Sequence, residues 1–133
     1  YGFEGNKFTY KMRSGISFAW DINFSGNIIA VNPATGWSVI SGYAPLSCSI
    51  DSHGWVTLEG SLTYGSKPTL GTVIGVVPEG FRPSEIIVAS GVSGNAGLNT
   101  LGAVNILPNG EIQIAAVGDT GNISLAGARY RAI

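Results

Sequence analysis

Charge is scarce in this sequence. Asp, Glu, Lys and Arg make up 11% of its 133 residues, against roughly 25% in an ordinary soluble domain. Seven basic and eight acidic residues leave a net charge of −1, which excludes binding to nucleic acid or anionic lipid through bulk electrostatics. There is one cysteine, Cys48, and one histidine, His53. A single cysteine forms no internal disulfide, so cysteine usage leaves the redox compartment open. A lone histidine without companion ligands is not a metal site, and no metal or cofactor is expected. Long apolar runs are missing too: Thr72–Pro78 and Ile86–Ala89 fall far short of the ~20 residues a membrane helix requires. A start at Tyr1, with no basic stretch ahead of an apolar run, points to a processed chain or excised domain with no signal peptide in view.

What is present is apolar and rich in turn formers. Hydrophobic residues reach 44%, which excludes intrinsic disorder, and the length suits one domain on a prior of about 150 residues. Glycine (20) and proline (6) fill about a fifth of the chain; with so few Lys, Glu and Arg, helices would lack an exposed face. The expectation is an all-β domain, a single antiparallel barrel or sandwich. Its clearest strand is Gly54–Tyr64, with Val56, Leu58, Leu62 and Tyr64 on one face and Trp55, Thr57, Glu59, Ser61 and Thr63 on the other. Asp51-Ser52-His53-Gly54 is a turn joining Leu46–Ile50 to that strand. Pro108-Asn109-Gly110 joins Ala103–Leu107 to Glu111–Val117, since Asn-Gly supplies the positive φ of a hairpin turn. Leu70–Val77 and Glu85–Val92 read as strands buried on both faces, separated by a proline-framed corner, Pro78–Pro83. Ser90–Thr100 reads as a surface loop and Asn122–Ala132 as a final strand; Phe3–Tyr10 and Ser38–Ser41 are early strands. Trp20-Asp21 and Ile28–Val31 form short strands or an extended arm.

The raw material for catalysis is thin. Cys48 and His53 could pair in principle, but Cys48 lies in a strand, where a small buried hydrophobe is its commoner role. His53 lies in a turn, where an exposed polar side chain is the plain reading. Eight carboxylates always offer pairs, and none stands in a motif. Three tryptophans, Trp20, Trp37 and Trp55, are many for a small β-domain; each is core or interface unless its face is wet, and aromatic faces bind the apolar faces of sugars. Trp55 shares its face with Thr57, Glu59 and Ser61, so it is wet or interfacial. Arg129 and Arg131 flank Tyr130 on a strand whose alternate residues are Ala128 and Ala132; a solvated edge is the plain alternative to a site.

From Trp37 onward the order of motifs resembles a known family. The carrying residues are Gly36-Trp37, Tyr43-Ala44-Pro45-Leu46, the strand Gly54-Trp-Val-Thr-Leu-Glu-Gly60, Val73–Pro83, Val104–Ile112 and Ile123–Gly127. They resemble the C-terminal head of receptor-binding proteins from tailed phages of Gram-positive bacteria, especially lactococcal siphophages. Val-x-Leu-x-Gly followed by Leu-Pro-x-Gly-Tyr-Arg-Pro characterises that family; here Val77 stands for the Leu and Phe81 for the Tyr. The resemblance implies a jelly-roll-like head over residues 36–133, assembling as a homotrimer at a baseplate or tail tip with other tail proteins. It implies a location on the virion and non-catalytic binding of host cell-wall saccharide. Residues 1–35 fall outside it, as a neck or linker remnant or as added strands. A trimer would also cover apolar surface that a mean hydropathy of +0.27 makes hard for a small monomer to hide.

On chemistry and turn position, rather than motif transfer, the candidate saccharide ligands are Trp55, His53, Asp51 and Arg129, then Trp37, Asp119 and Arg131. A Trp would stack on the ring while Asp, His and Arg took hydroxyls or a phosphate. Two other readings stand beside this one: a structural trimerising cap of a fibre, and a monomeric carbohydrate-binding module of a wall hydrolase. A hydrolase proper is a distant third.

Overall fold

The structure is a computed structural model, describing residues 28–95 and 98–132. The expected strand Phe3–Tyr10 and the segment around Trp20 lie outside the described residues. Among the described residues eleven strands are formed: β1 (Ile28–Ala30), β2 (Ser38–Val39), β3 (Ser47–Ile50), β4 (Trp55–Glu59), β5 (Ser61–Thr63), β6 (Val73–Val76), β7 (Ile87–Asn95), β8 (Leu98–Ile106), β9 (Glu111–Ala116), β10 (Asn122–Ser124) and β11 (Ala128–Arg131). They build two sheets, β1-β3-β4-β11 and β2-β5-β10-β7-β8-β9-β6. Every pairing is antiparallel.

Period-two alternation decides what each sheet buries. Val56 and Leu58 of β4, Ile112 and Ile114 of β9, and Ala128 and Tyr130 of β11 point into one shared core. Each such aliphatic side chain, fully buried, is worth about 1.5–3 kcal/mol. Cys48 joins this core. Burial pushes its thiol up to about 11, so at neutral pH it stays protonated and unreactive. Burial, and secondarily the neighbouring Cys48, also raises the Tyr130 hydroxyl. That hydroxyl donates to the Phe81 carbonyl at 2.6 Å, tying the proline-framed corner to β11.

Two expected strands turn out to be pairs. The run Gly54–Tyr64 bends at Gly60 (φ 136°), so β4 lies in the small sheet and β5 in the large one. The closing run bends likewise at residues 125–127 between β10 and β11. The bends bond to each other, Leu125 N–H to Gly60 O (2.9 Å) and Gly127 N–H to Leu58 O (3.1 Å). Inner residues stay inner through the bend, which is why the facing pattern of Val56, Leu58 and Leu62 holds although the strand does not continue.

The expected surface loop Ser90–Thr100 is instead the distal half of a long hairpin, in which β7 and β8 pair through nine residues. Its glycines serve close approach rather than turning. A Cβ on Gly91 would strike the Ser124 carbonyl, and one on its cross-strand partner Gly102 would sit 3.3 Å from Ile123 Cδ1. Ser93 is buried in the same place, its hydroxyl donating to Asn122 O (2.6 Å) and accepting from Gly118 N–H (2.8 Å). The expectation that Glu85–Val92 is buried on both faces also fails within a single chain. Val88 is 70% exposed and Val92 49%, and Leu101, paired with Val92, is 72% exposed.

Candidate functional site

The turn Asp51–Gly54 and the β4–β11 register together assemble most of the candidate residues. Asp51 Oδ1 accepts two backbone N–H bonds, from His53 at 2.8 Å and Trp55 at 3.0 Å, the Asx arrangement that favours Asp at the head of a turn. Arg131 stands directly across from Trp55 and Arg129 across from Thr57. Because Ala128, Tyr130 and Ala132 are buried, alternation sends both arginines outward over the tryptophan. Their guanidinium carbons lie 5.0 Å (Arg129) and 5.8 Å (Arg131) from the indole centroid, contacts worth about 0.5–1 kcal/mol each at exposed positions. Arg131 Nε also donates to the His53 carbonyl at 2.9 Å, and Arg129 Nη2 lies 3.9 Å from Asp51 Oδ2. At that length and exposure the ion pair steers the arginine more than it stabilises the fold.

These groups border a cleft of about 450 Å³ that Ile28, Ser49, Asp51, Trp55 and Thr57 help to line. Its size is within the ordinary range for small-ligand sites. Trp55 is 39% exposed, so the indole is partly covered by the arginines and partly open. The cleft therefore combines an aromatic surface, a carboxylate oxygen and the hydroxyls of Ser49 and Thr57, with two guanidinium forks beside it on the Trp55 ring. Such a set suits a ligand bearing many hydroxyls, each able to accept from an arginine and donate to a carboxylate or hydroxyl.

The N–H groups of Trp55 and then His53, bonded to the charged carboxylate, hold Asp51 below the usual aspartate range; the positive charges nearby add to this. A depressed pKa contributes stability above the unfolded value, about 3.9, which is lost as pH falls through the folded one. The stability difference between the native protein and Asp51→Asn should therefore be constant above pH ~5 and shrink only below pH ~4. Urea denaturation of both proteins across that range checks it.

No protein-family profile matches the sequence, and no curated protein does. Solved structures do. The receptor-binding protein of Listeria phage PSA matches with a TM-score of 0.58 and 19% identity, over 80% of this chain and 64% of that one. The head domain of lactococcal phage bIL170, described in connection with a common fold for receptor-binding domains of lactococcal phages, matches with a TM-score of 0.54 and 20% identity. That match covers 80% of this chain and 97% of that one. The chain has the fold of a phage receptor-binding head. It spans nearly all of the lactococcal head domain but less than two thirds of the Listeria phage protein's length, and it supports the resemblance at the level of fold.

Within this receptor-binding head fold the candidates do not all converge. Asp51, His53, Trp55, Arg129 and Arg131 share one surface. The exposed His53 ring sits 3.4 Å from Ser52 Oγ, through Nδ1, while its carbonyl anchors Arg131. Trp37 is elsewhere, 6% exposed and tilted on Tyr64 with ring centroids 5.0 Å apart. Its Nε1 has no hydrogen-bond partner among the described residues. Asp119 is exposed in the loop before β10, away from the cleft residues. Ser49 and Thr57 were missed although they are direct partners across the hairpin; counting outward positions back from the Asp51 turn would have found both. Ile28 reaches the cleft by pairing with Ser49, a contact no local pattern announces.

Proposed function

We propose that this domain is the receptor-binding head of a phage tail, which adsorbs the virion to a Gram-positive host by binding cell-wall saccharide without cleaving it. The observation that carries the reading is the outward cluster of Trp55, Arg129, Arg131 and Asp51 beside a cleft; the receptor-binding head fold supports it. The direct test is retention of the fluorescently labelled domain on purified walls from a panel of Gram-positive strains, before and after chemical extraction of the wall polysaccharide. Binding that disappears on extraction is the expected result. Absence of binding to every wall, binding that survives extraction, or a rise in reducing ends would overturn the reading.

The head works as a homotrimer in this proposal. Val88 and Leu101 are exposed apolar side chains on the outer face of β7 and β8, and self-association would give them a partner. Weak sites repeated around a threefold axis gain avidity without tight individual binding. Light scattering should give a mass near three times 13.7 kDa, and Leu101→Asp should lower it to that of one chain. A trimer that binds no wall would favour the structural cap, and a stable monomer that binds would favour the appended module of a hydrolase.

A further inference from the structure

A second depression lies around the bend from the cleft, and one strand joins the two. The outward residues of β4 run Trp55, Thr57, Glu59. Trp55 and Thr57 line the first cleft, while Glu59 lines a groove of about 560 Å³ on the outer side of the large sheet. Beyond Gly60 the same outward series continues with Ser61, also in the groove. From Trp55 to Ser61 this track follows about 20 Å of extended chain. Tyr43, Asn99, Asn122 and Ser124 add to the polar lining.

The groove's chemistry differs from that of the cleft. Ser61, Ser124 and Val92 are successive cross-strand partners, giving a floor that is hydroxylic at one end and apolar at the other. Asn122 spends its backbone, not its amide, on bonds to Ser93 and Thr120. Tyr43 is an exposed aromatic at the margin. Glu59 is the one charged side chain among the described lining residues, so the groove disfavours anions, whereas two arginines lie against the Trp55 ring beside the cleft. An aromatic wall, two amides, hydroxyls and one acceptor carboxylate suit an uncharged unit rich in hydroxyls.

We propose that the groove is a second subsite for the same polysaccharide, holding uncharged sugar units while the Trp55 cleft holds a neighbouring part of the chain. This rests on the saccharide reading of the cleft. The head then recognises a stretch of polymer bent around the Gly60 corner rather than one isolated sugar. The test uses polysaccharide extracted from a strain whose walls retain the protein, partly hydrolysed and sized into single repeat units and fragments of a few repeats, too short to bridge two heads. Calorimetry compares the native protein, Trp55→Ala, the double variant Tyr43→Ala/Asn99→Ala, and Ser124→Phe, which fills the groove instead of stripping it. The native protein should bind the longer fragments about tenfold or more tightly than the single unit, the yield of two further hydrogen-bonded contacts. Both groove variants should lose that advantage and keep single-unit affinity, and Trp55→Ala should lose both. Equal affinity for both lengths, or groove variants that keep the advantage, would overturn the second subsite while leaving the cleft standing. Native protein that binds neither fragment, or Trp55→Ala that binds both, would overturn the cleft and the subsite together.

Discussion

Replacing Trp55 by alanine is expected to remove wall binding while leaving the domain folded. The indole is the one surface against which both Arg129 and Arg131 are placed, so its loss removes the aromatic contact and leaves Arg131 held by the His53 carbonyl and Arg129 by Asp51 alone. Truncation of a central aromatic anchor costs about 2 kcal/mol or more, roughly 30-fold per site, and a multivalent head would magnify the deficit. Stability should change little, because Trp55 points outward and the residues beside it, Val56 and Leu58, carry the packing. Binding of Trp55→Ala to extracted polysaccharide, with a thermal melt as the fold control, checks both halves. Binding equal to the native protein's would remove Trp55 from the site.

A large stability loss is expected at Gly60. Its φ of 136° is one that other residues adopt only with strain, and a Cβ there would lie 2.6 Å from Leu46 Cα and 2.9 Å from Leu46 N. Neither obstacle is a flexible side chain that could swing aside. Backbone strain of about 1–3 kcal/mol and overpacking of about 1–3 kcal/mol act together, so Gly60→Ala should cost about 3 kcal/mol or more. The control is Gly42→Ala, which has a positive φ of 83° but nothing within 4 Å of the added carbon; it should cost about 1 kcal/mol. Urea unfolding at one fixed protein concentration, to hold any assembly constant, separates the two. Equal costs would show that conformation alone matters at the bend.

The legible parts of this fold were those written in short-range chemistry. The Asp51–Gly54 and Pro108–Gly110 turns and the inward faces of β4, β9 and β11 each depend on residues a few positions apart. Glycine misled because its two uses look alike in a sequence: Gly91 and Gly94 read as turn formers, yet they sit within a strand where a neighbouring chain comes close. Gly60 carried the opposite lesson, since an isolated glycine inside a strand marks a bend. The candidate site was legible as a choice of residue types but not as an arrangement. Trp55 meets Arg129 and Arg131 only through the β4–β11 pairing, which joins segments more than seventy residues apart, and no local pattern fixes such a contact. Trp37 shows the limit from the other side: its chemistry fits a sugar platform, and packing against Tyr64 buries it.

The alternation along β4 and β11 has a further consequence for how such a molecule changes over generations. Trp55, Thr57, Arg129 and Arg131 occupy outward positions, and each is flanked in sequence by an inward residue that secures the core. Selection can therefore act on the proposed recognition surface one side chain at a time, with little penalty in folding for most exchanges. Drift in the host's surface chemistry would be followed by substitutions at every second residue of these two strands, and the residues between them would stay fixed. A lineage of such heads would diverge in a striped pattern, variable and constant positions taking turns along the same few strands.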